Sequence, residues 1–382
     1  MDTTSSNTGV YKGACKLLQE LLSRQILWLA CRHHILELVV GAAFFELFGD
    51  TTSPEVTLFK VLKRSWDTLD LDDLQLPDVP SLYRADTEEL LAWINILLQP
   101  ENVKTLPRCD YKELLELAKL ILGGPIGREK GYTFHLTRPG ADHHARWMAK
   151  SIYILKMVLL MHQLPELHWQ TKKKIRTMSQ FVIFVYIQAW FTAPSLYSAA
   201  SNDLLLYKRL IKFRSIHKKI SIATFEVFLR HPWYLTEESI VFSLFNEDLP
   251  METRNILASR IGELDSGDLE IRKPTLPSFS AKSVITEFVG DRSRLLFDLL
   301  GVQTGFLLSP DWQMTPEYDT VKTALKNMSP LNDSSERALA LAIRLNTNIT
   351  RDEESYQELV QVVEAHRKKY NLDTKKDLKN LY

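Results

Sequence analysis

Apolar residues recur at helical spacing through most of the chain. Near the N-terminus, Val and Leu at three- and four-residue steps predict an amphipathic helix over residues 11–24, and the apolar stretch 35–48 predicts a second helix. Between them, residues 26–31 form a short, nearly continuous apolar run, which is typical of a strand buried on both faces, although a helix also accounts for so short a run. The first fifty residues therefore predict loop, helix, strand and helix.

Beyond residue 50 the periodicity is helical, without convincing strand alternation or an internal repeat. Segments rich in Gly and Pro at 123–140 and 267–280 interrupt the helical stretches, and the second is the better linker candidate. The sequence thus predicts a mainly α-helical protein. Three helices are expected between residues 55 and 124, and later ones at about 144–162, 167–193, 202–210, 236–244, 250–262, 281–300, 317–326, 334–346 and 351–369.

Composition narrows the class of protein. The 382 residues include 47 Lys plus Arg and 47 Asp plus Glu, and this balance excludes a uniformly basic nucleic-acid binder. The longest apolar runs reach about half of the ~20 residues that a spanning helix needs, so no membrane partner is expected. Three cysteines at unrelated spacings and a polar N-terminus favour a reducing compartment, and we expect a nuclear or cytoplasmic protein.

Two N-terminal features carry candidate chemistry. Asp2 opens the polar stretch DTTSSN, where an Asp is commonly a helix cap. Cys31 and His34 supply half of a zinc-ligand pattern, but no second unit of that type follows. Taken alone, these residues favour a capped turn and a structural Cys–His pair over a metal site.

In order, however, four short motifs resemble the hAT superfamily of DDE transposases. Asp2 with Asn7 is similar to the segment of the second catalytic aspartate, and CRHH with Cys31 and His34 to the Cys-x-x-His signature. Arg146 and Trp147, in ARWM, resemble the Arg-Trp element, and the stretch NDSSERAL resembles the motif that carries the last acid, here Glu336. The four motifs span nearly the whole chain.

The resemblance implies part of a ribonuclease-H-like α/β core, its second half, with a large all-helical insertion. The expected organisation is a partial core over 1–50, an insertion over 51–315 and C-terminal helices over 316–382 that return to the core. In that family, carboxylates hold two divalent metals that activate water or a DNA 3′-hydroxyl, and Mg²⁺ prefers such oxygen ligands. Asp2 and Glu336 would be two of these acids, and Trp147 would stack on a base.

The pattern also departs from the family. Only Met1 precedes Asp2, so the first acid and its strand are expected to be missing. Two carboxylates are not enough to hold two metal ions, so we expect a transposable-element-derived protein that does not catalyse DNA cleavage. We also expect no bound cofactor, since Mg²⁺ would bind only at an intact active site. An active transposase whose upstream exon supplies the first acid is the remaining enzyme hypothesis. No small-molecule cofactor is expected.

Two motif residues have simpler explanations. A Trp on a helix, such as Trp147, is more commonly part of a core, and an acid in the first turn of a helix, such as Glu336, is favoured by the helix dipole.

Clusters of basic residues point to DNA. One cluster lies at residues 172–176 and a second at 208–219, where Tyr207 and Phe213 interleave with the basic residues. One interpretation is a surface that binds the DNA backbone. The other is a solvated helix face whose charges are balanced by Glu166, Asp203 and Glu226. DNA and a second copy of the chain are the expected partners, and a non-enzymatic helical protein that binds either one is the alternative function. With Arg146 and Trp147, the candidate DNA-binding residues are Lys172, Lys173, Lys174, Lys208, Arg209 and Lys212.

Overall fold

The computed structural model describes residues 1–49, 57–124, 136–139, 147–265, 267 and 269–332. Over these residues the chain is mainly helical, and they contain no β-strand. The predicted mainly α-helical class is therefore confirmed. A ribonuclease-H-like sheet is not seen in this part of the chain.

Helices of very different length make up the described chain. Short 3₁₀ turns connect several of them, and a π-helical turn, Val182–Tyr186, joins α9 to α10. The α-helices are α1 (Ser5–Thr8), α2 (Ala14–Leu22), α3 (Arg32–Phe48), α4 (Thr57–Ser65), α5 (Arg84–Leu97), α6 (Pro100–Val103), α7 (Cys109–Ile121), α8 (Trp147–Leu160), α9 (Trp169–Phe181), α10 (Ile187–Thr192), α11 (Ala199–Phe213), α12 (Lys218–Phe228), α13 (Glu237–Ile240), α14 (Met251–Gly262), α15 (Leu295–Leu300) and α16 (Pro316–Leu325).

Contacts divide the chain into two compact units. Unit 1 combines Met1–Leu47 with Phe181–Asn332, and unit 2 contains the described residues of Phe48–Gln180. Residues 181–315, which the sequence-based division assigns to the insertion, thus contact the N-terminal segment within unit 1. The assignment of a core and an insertion stays a prediction.

Helix boundaries follow local signals in the sequence. The second N-terminal helix, α3, ends at Phe48, where Gly49 adopts a positive φ of 79° that other residues rarely tolerate. At the start of α16, the Thr315 side chain accepts a hydrogen bond from the Tyr318 amide, and Pro316 occupies the first helical position. The predicted helices over 11–24, 35–48 and 317–326 are confirmed with small shifts of their ends.

Helix α2 packs with its polar side inward. Gln19 is its one buried residue; its side chain accepts a hydrogen bond from the Trp28 indole at 2.7 Å and donates one to Gln25 at 2.8 Å. The leucines face solvent, and Leu21 is 81% exposed. Amide and indole hydrogen bonds therefore hold α2, although its sequence pattern suggests an apolar contact. The exposed leucines are Leu17, Leu18, Leu21 and Leu22.

The segment 26–31 is not a strand of any sheet within the described residues, so that prediction is wrong. It has no regular secondary structure; Trp28, Ala30 and Cys31 are buried in it, and Ile26, Leu27 and Leu29 are half-buried. Trp28 stacks on Trp233 with ring centroids 6.0 Å apart, and the Tyr234 hydroxyl donates to the Ala30 carbonyl at 2.5 Å. Helical residues, and not neighbouring strands, therefore cover this apolar segment.

No helix in the described ranges combines the length and the apolar character needed to cross a membrane.

Unit 2 contains a fully buried lysine. Lys156, on α8, is 0% exposed, and its ammonium lies 2.6 Å from the Glu113 carboxylate of α7. The ammonium also donates to the Thr137 carbonyl at 2.7 Å and lies over the Trp66 ring. A buried cation is tolerated only with such partners, so this group fixes α7, α8 and the short segment 136–139 together.

Replacing this lysine should destabilise the protein strongly. Lys156→Met leaves the Glu113 carboxylate buried without its cation, and we expect the free energy of unfolding to fall by about 3–5 kcal/mol. Urea denaturation followed by circular dichroism measures the change.

Lys112 provides the matched control. It lies on α7 and pairs with Glu116 of the same helix, and both side chains are partly exposed. Lys112→Met should change stability by less than about 1 kcal/mol. In the double variant Lys156→Met/Glu113→Leu, part of the lost stability should return. Equal effects of the two lysine substitutions would contradict this account.

Candidate functional site

Three distant segments meet around Cys31 in unit 1. The Cys31 amide donates to the Met1 carbonyl at 2.6 Å, and the Met1 ammonium donates to the Leu29 carbonyl at 2.9 Å. From the other end of the described chain, the Asn332 amide donates to the Cys31 sulfur at 3.2 Å, although the two residues lie 301 positions apart. The structure therefore brings the Asp2 segment, the Cys-x-x-His signature and the first residue of the C-terminal motif to one place.

The same contacts cap helix α3. Its first residue, Arg32, donates its backbone amide to the Pro330 carbonyl at 2.9 Å. The first amides of a helix have no partner within the helix, so they require acceptors from elsewhere. The Pro330 carbonyl accepts from the Arg32 amide, and the Met1 carbonyl accepts from the amide of the preceding Cys31. The start of α3 therefore depends on residues near both ends of the described chain.

A buried ion pair fixes the direction of α3. The Arg32 guanidinium lies 2.6 Å from the Asp203 carboxylate of α11, and both side chains are nearly fully buried. Arg32 also lies over the ring of Tyr234. Burial raises the pKa of Asp203 above its ordinary value, and the adjacent Arg32 opposes that rise. From the sequence, Asp203 was considered as a counter-charge for the surface basic cluster. The structure corrects this, because Asp203 is buried and pairs with Arg32.

The neighbouring His33 is also a packing residue. Its ring stacks on Trp190 of α10 with centroids 3.8 Å apart, and its Nε2 lies 3.2 Å from the Trp190 carbonyl. His33 is 1% exposed. Arg32 and His33 thus point into unit 1, where they contact α10 and α11.

Asp2 forms a hydrogen-bonded turn. Its Oδ1 accepts bonds from the Thr4 hydroxyl at 2.6 Å, the Thr4 amide at 3.1 Å and the Asn7 side-chain amide at 2.6 Å. Burial raises the pKa of Asp2, but these hydrogen bonds outweigh burial, so the pKa lies below its ordinary value. The side chain is therefore ionised at neutral pH, and it organises the DTTSSN turn.

The described side-chain partners of Asp2 are hydrogen-bond donors, and Glu336, the other acid of the two-metal site that the resemblance implies, lies outside the described residues. Thr4 and Asn7 donate hydrogens to the carboxylate, whereas a metal needs oxygen or nitrogen lone pairs directed at it. Across the described ranges, no three His, Cys, Asp or Glu side chains are grouped so that they could hold a metal. No chemical step through Mg²⁺ follows from this geometry.

His34, the last residue of the signature, is half-buried and lies near His231. Burial, followed by the charges of Arg230 and His34, lowers the pKa of His231 to about 4. Its Nδ1 is buried without a hydrogen-bond partner in the described chain. The Cys-x-x-His motif therefore lies beside a histidine that resists protonation.

Several predicted site residues fall outside the described residues. Arg146 and Glu336 are among them, so the structure does not test whether Asp2 and Glu336 face each other. Of Trp147, only the backbone is described, as the first residue of α8.

The basic residues divide between the two units. Lys172, Lys173 and Lys174 lie on the part of α9 that belongs to unit 2, and Lys208, Arg209 and Lys212 lie on α11 in unit 1. Lys173, Lys174 and Lys208 are exposed, Lys172 and Lys212 are half-buried, and Arg209 donates to Gln188.

The aromatic residues between the basic ones are buried. Phe213 packs edge-on against Phe181, and Tyr207 packs against Phe225 and Phe279. The expectation that they interleave with the cations at the surface is wrong, because their spacing on α11 points them into the core. This surface offers positive charge without a platform for base stacking.

Sequence reasoning missed the contacts of Arg32 with Asp203 and Tyr234, which hold the start of α3 in unit 1. One signal was available: Asp203 occupies an inward position in the apolar pattern of α11, where a charge requires a partner. The identity of that partner, 171 residues away, is not encoded in any local pattern.

Comparisons of the chain with protein-family models, with curated proteins and with solved structures find no match.

The low pKa of His231 predicts a defined pH dependence. The unfolded state binds a proton near pH 6.5 and the folded state only near pH 4, so stability is fully present above pH 6.5 and falls as the pH drops toward 4. Since the ring is partly exposed, we expect a loss of about 1–2 kcal/mol between pH 7 and pH 4.5.

Urea denaturation at both pH values measures this loss, and His231→Phe should remove most of it. His162, which lies at the surface beside Asp73, is the control position, and His162→Phe should leave the pH dependence in place. A pH dependence that survives His231→Phe unchanged would assign the effect to other groups.

Proposed function

We propose that this chain derives from a transposase of the hAT superfamily and acts without cleaving DNA. The observation that carries the proposal is the hydrogen bond from Asn332 to Cys31 at 3.2 Å. The four motifs predict that the Asp2 segment, the Cys-x-x-His signature and the NDSSERAL stretch belong to one site. The first two meet the first residue of the third in unit 1, as a common site requires.

Further support comes from the arrangement of the N-terminal segment. Met1, which precedes helices α1 and α2 in the chain, pairs with the segment that follows them: its ammonium donates to the Leu29 carbonyl and its carbonyl accepts from the Cys31 amide. These two hydrogen bonds are those of one parallel β-bridge, a contact that a ribonuclease-H-like core would contain. A remnant of such a core, followed by helical insertion, is the proposed origin of the architecture.

The absence of cleavage rests on Asp2. Its Oδ1 accepts three hydrogen bonds from Thr4 and Asn7, so this oxygen is held within the turn. The motif-matched acids of this sequence are Asp2 and Glu336, and two-metal chemistry relies on a fuller carboxylate set. The turn is therefore a structural use of a formerly catalytic position.

A DNA cleavage assay tests this directly. The chain, with Mg²⁺ or Mn²⁺ and both hairpin and flanked-end DNA, should give only background cleavage. Robust cleavage that Glu336→Gln abolishes would overturn the proposal of inactivity.

Asp2→Ala should lower the free energy of unfolding by about 1 kcal/mol, and Asp2→Asn, whose amide oxygen still accepts hydrogen bonds, should lower it less.

A second function, binding of the DNA backbone, is favoured by the exposed ends of α11 and α12. Lys208, Lys218 and Lys219 are exposed and make no ion pair with any described residue. Without exposed aromatic residues, this surface would contact phosphates and would not read bases. We therefore expect binding that is independent of sequence and weakened by salt.

Charge reversal at this surface should reduce the salt dependence of binding. For Lys208→Glu/Lys218→Glu/Lys219→Glu, we expect the slope of log affinity against log salt to fall by about 2–3, measured by fluorescence anisotropy with labelled duplex DNA. The matched control reverses three exposed lysines elsewhere in unit 1: Lys12, Lys282 and Lys326. If both triple variants bind alike, attraction is general and this surface is not the site.

A further inference from the structure

Helix α9 of unit 2 begins with an exposed tryptophan. Trp169 is 63% exposed, whereas the other tryptophans whose side chains the structure describes are buried or half-buried. Tryptophan is highly buried on average, and its large flat ring is enriched where a protein surface meets a partner. The start of α9 is therefore a candidate contact surface.

The residue before α9 supports this side chain. The His168 carbonyl accepts a hydrogen bond from the Lys172 amide at 3.0 Å, and His168 Nδ1 accepts one from the Gln170 amide at 3.4 Å. The His168 ring lies against the Trp169 ring, with centroids 5.8 Å apart and planes inclined by 42°. The indole thus has one packed neighbour, while most of its surface remains in contact with solvent.

Three cations share the outer face of α9 with Trp169. Lys172, Lys173 and Arg176 follow it by three, four and seven residues, which is the spacing of one helix face, and the stripe is about 10 Å long. Lys173 and Arg176 are exposed, and Lys172 is half-buried. None of the three makes an ion pair with a described residue. Their charge is therefore available to an anionic ligand.

The inner face of α9 argues against a lipid surface as that ligand. Ile175 and Met178 are buried, and Trp169 is the one large apolar side chain of the helix that is exposed. A helix that lies in a membrane interface inserts a whole apolar face, which α9 does not offer. One open indole beside several cations instead complements a polyanion that carries aromatic rings.

We propose that this face of α9, formed by Trp169, Lys172, Lys173 and Arg176, binds single-stranded nucleic acid. A base stacks on the indole, and neighbouring phosphates contact the cations. The base must be unpaired, because bases inside a duplex already stack on one another. Stacking and phosphate contacts are common to all nucleotides, so binding should tolerate any base sequence and either sugar.

This inference goes beyond the proposed function. It concerns an unpaired strand and helix α9 of unit 2, whereas the surface proposed for the duplex backbone lies on α11 and α12 of unit 1. It also does not depend on descent from a transposase, since it uses only the exposure and the charge of α9.

The probe is a fluorescein-labelled oligothymidine of about twelve nucleotides, and fluorescence anisotropy with the full chain measures its binding. Trp169→Ala should lower affinity about tenfold, and Trp169→Tyr, which keeps an aromatic ring, should stay within about threefold of the native chain. The same two substitutions in the Lys208→Glu/Lys218→Glu/Lys219→Glu background should give the same ratios, because the unit 1 surface is then removed. Unchanged affinity of Trp169→Ala would overturn the proposal.

Lys173 and Lys174 form the matched pair for the charge contacts. Both are exposed and adjacent in sequence, but Lys174 lies outside the stripe, since each residue turns the helix by about 100°. At about 0.15 M salt, where exposed charges more than about 8 Å apart are largely screened, Lys173→Glu should lower affinity about fivefold or more and Lys174→Glu less than about twofold. Equal losses would show general attraction and overturn the proposal.

Duplex DNA and lipid vesicles are the competing ligands. Trp169→Ala should leave the affinity for duplex DNA within about twofold, because no unpaired base is present to stack. Vesicles of phosphatidylcholine and phosphatidylserine should show no binding that requires Trp169. An equal loss of duplex affinity, or vesicle binding that requires Trp169 when oligothymidine binding does not, would overturn the proposal.

The sugar provides a final test. Oligouridine of the same length should bind within about threefold of oligothymidine, since the proposed contacts involve base faces and phosphates. A preference of more than about tenfold for either sugar would contradict a surface that recognises only those groups.

Discussion

Two backbone amides at the start of helix α3 depend on acceptors from distant parts of unit 1. Cys31 and Arg32 donate to the carbonyls of Met1 and Pro330, so one helix end joins the two ends of the described chain. The Arg32 side chain then enters the core and pairs with Asp203. Unpaired helix amides and a buried unpaired cation are both costly, so each of these contacts is needed where α3 begins.

Local sequence patterns were sufficient to predict where the helices lie, but not which residues those helices contact. The helices near residues 11–24 and 35–48 followed from apolar spacing and from Gly49. The same spacing suggested that the leucines of α2 pack inward, yet Gln19 is the buried residue. Hydrophobic periodicity identifies a helix and its apolar face; which face is covered depends on the rest of the fold.

The candidate site shows the same division. Apolar character predicted a buried strand over residues 26–31, but a strand needs a neighbour, and in the described chain only Met1 makes backbone hydrogen bonds of that kind with this segment. The contact of Cys31 with Asn332 follows from no local property of the sequence. In unit 2, Lys156 was the one charge in the apolar run of α8, a signal of a buried pair that did not name Glu113.

Helix α2 has a thermodynamic consequence of its own. Long described helices such as α3 and α8 bury apolar side chains, whose hydration gives unfolding a large heat capacity and makes stability curve with temperature. Detaching α2 breaks the Gln19 bonds to Trp28 and Gln25 while its leucines are already hydrated. Its opening should therefore change heat capacity little, and on cooling α2 should stay attached where the apolar contacts around it weaken.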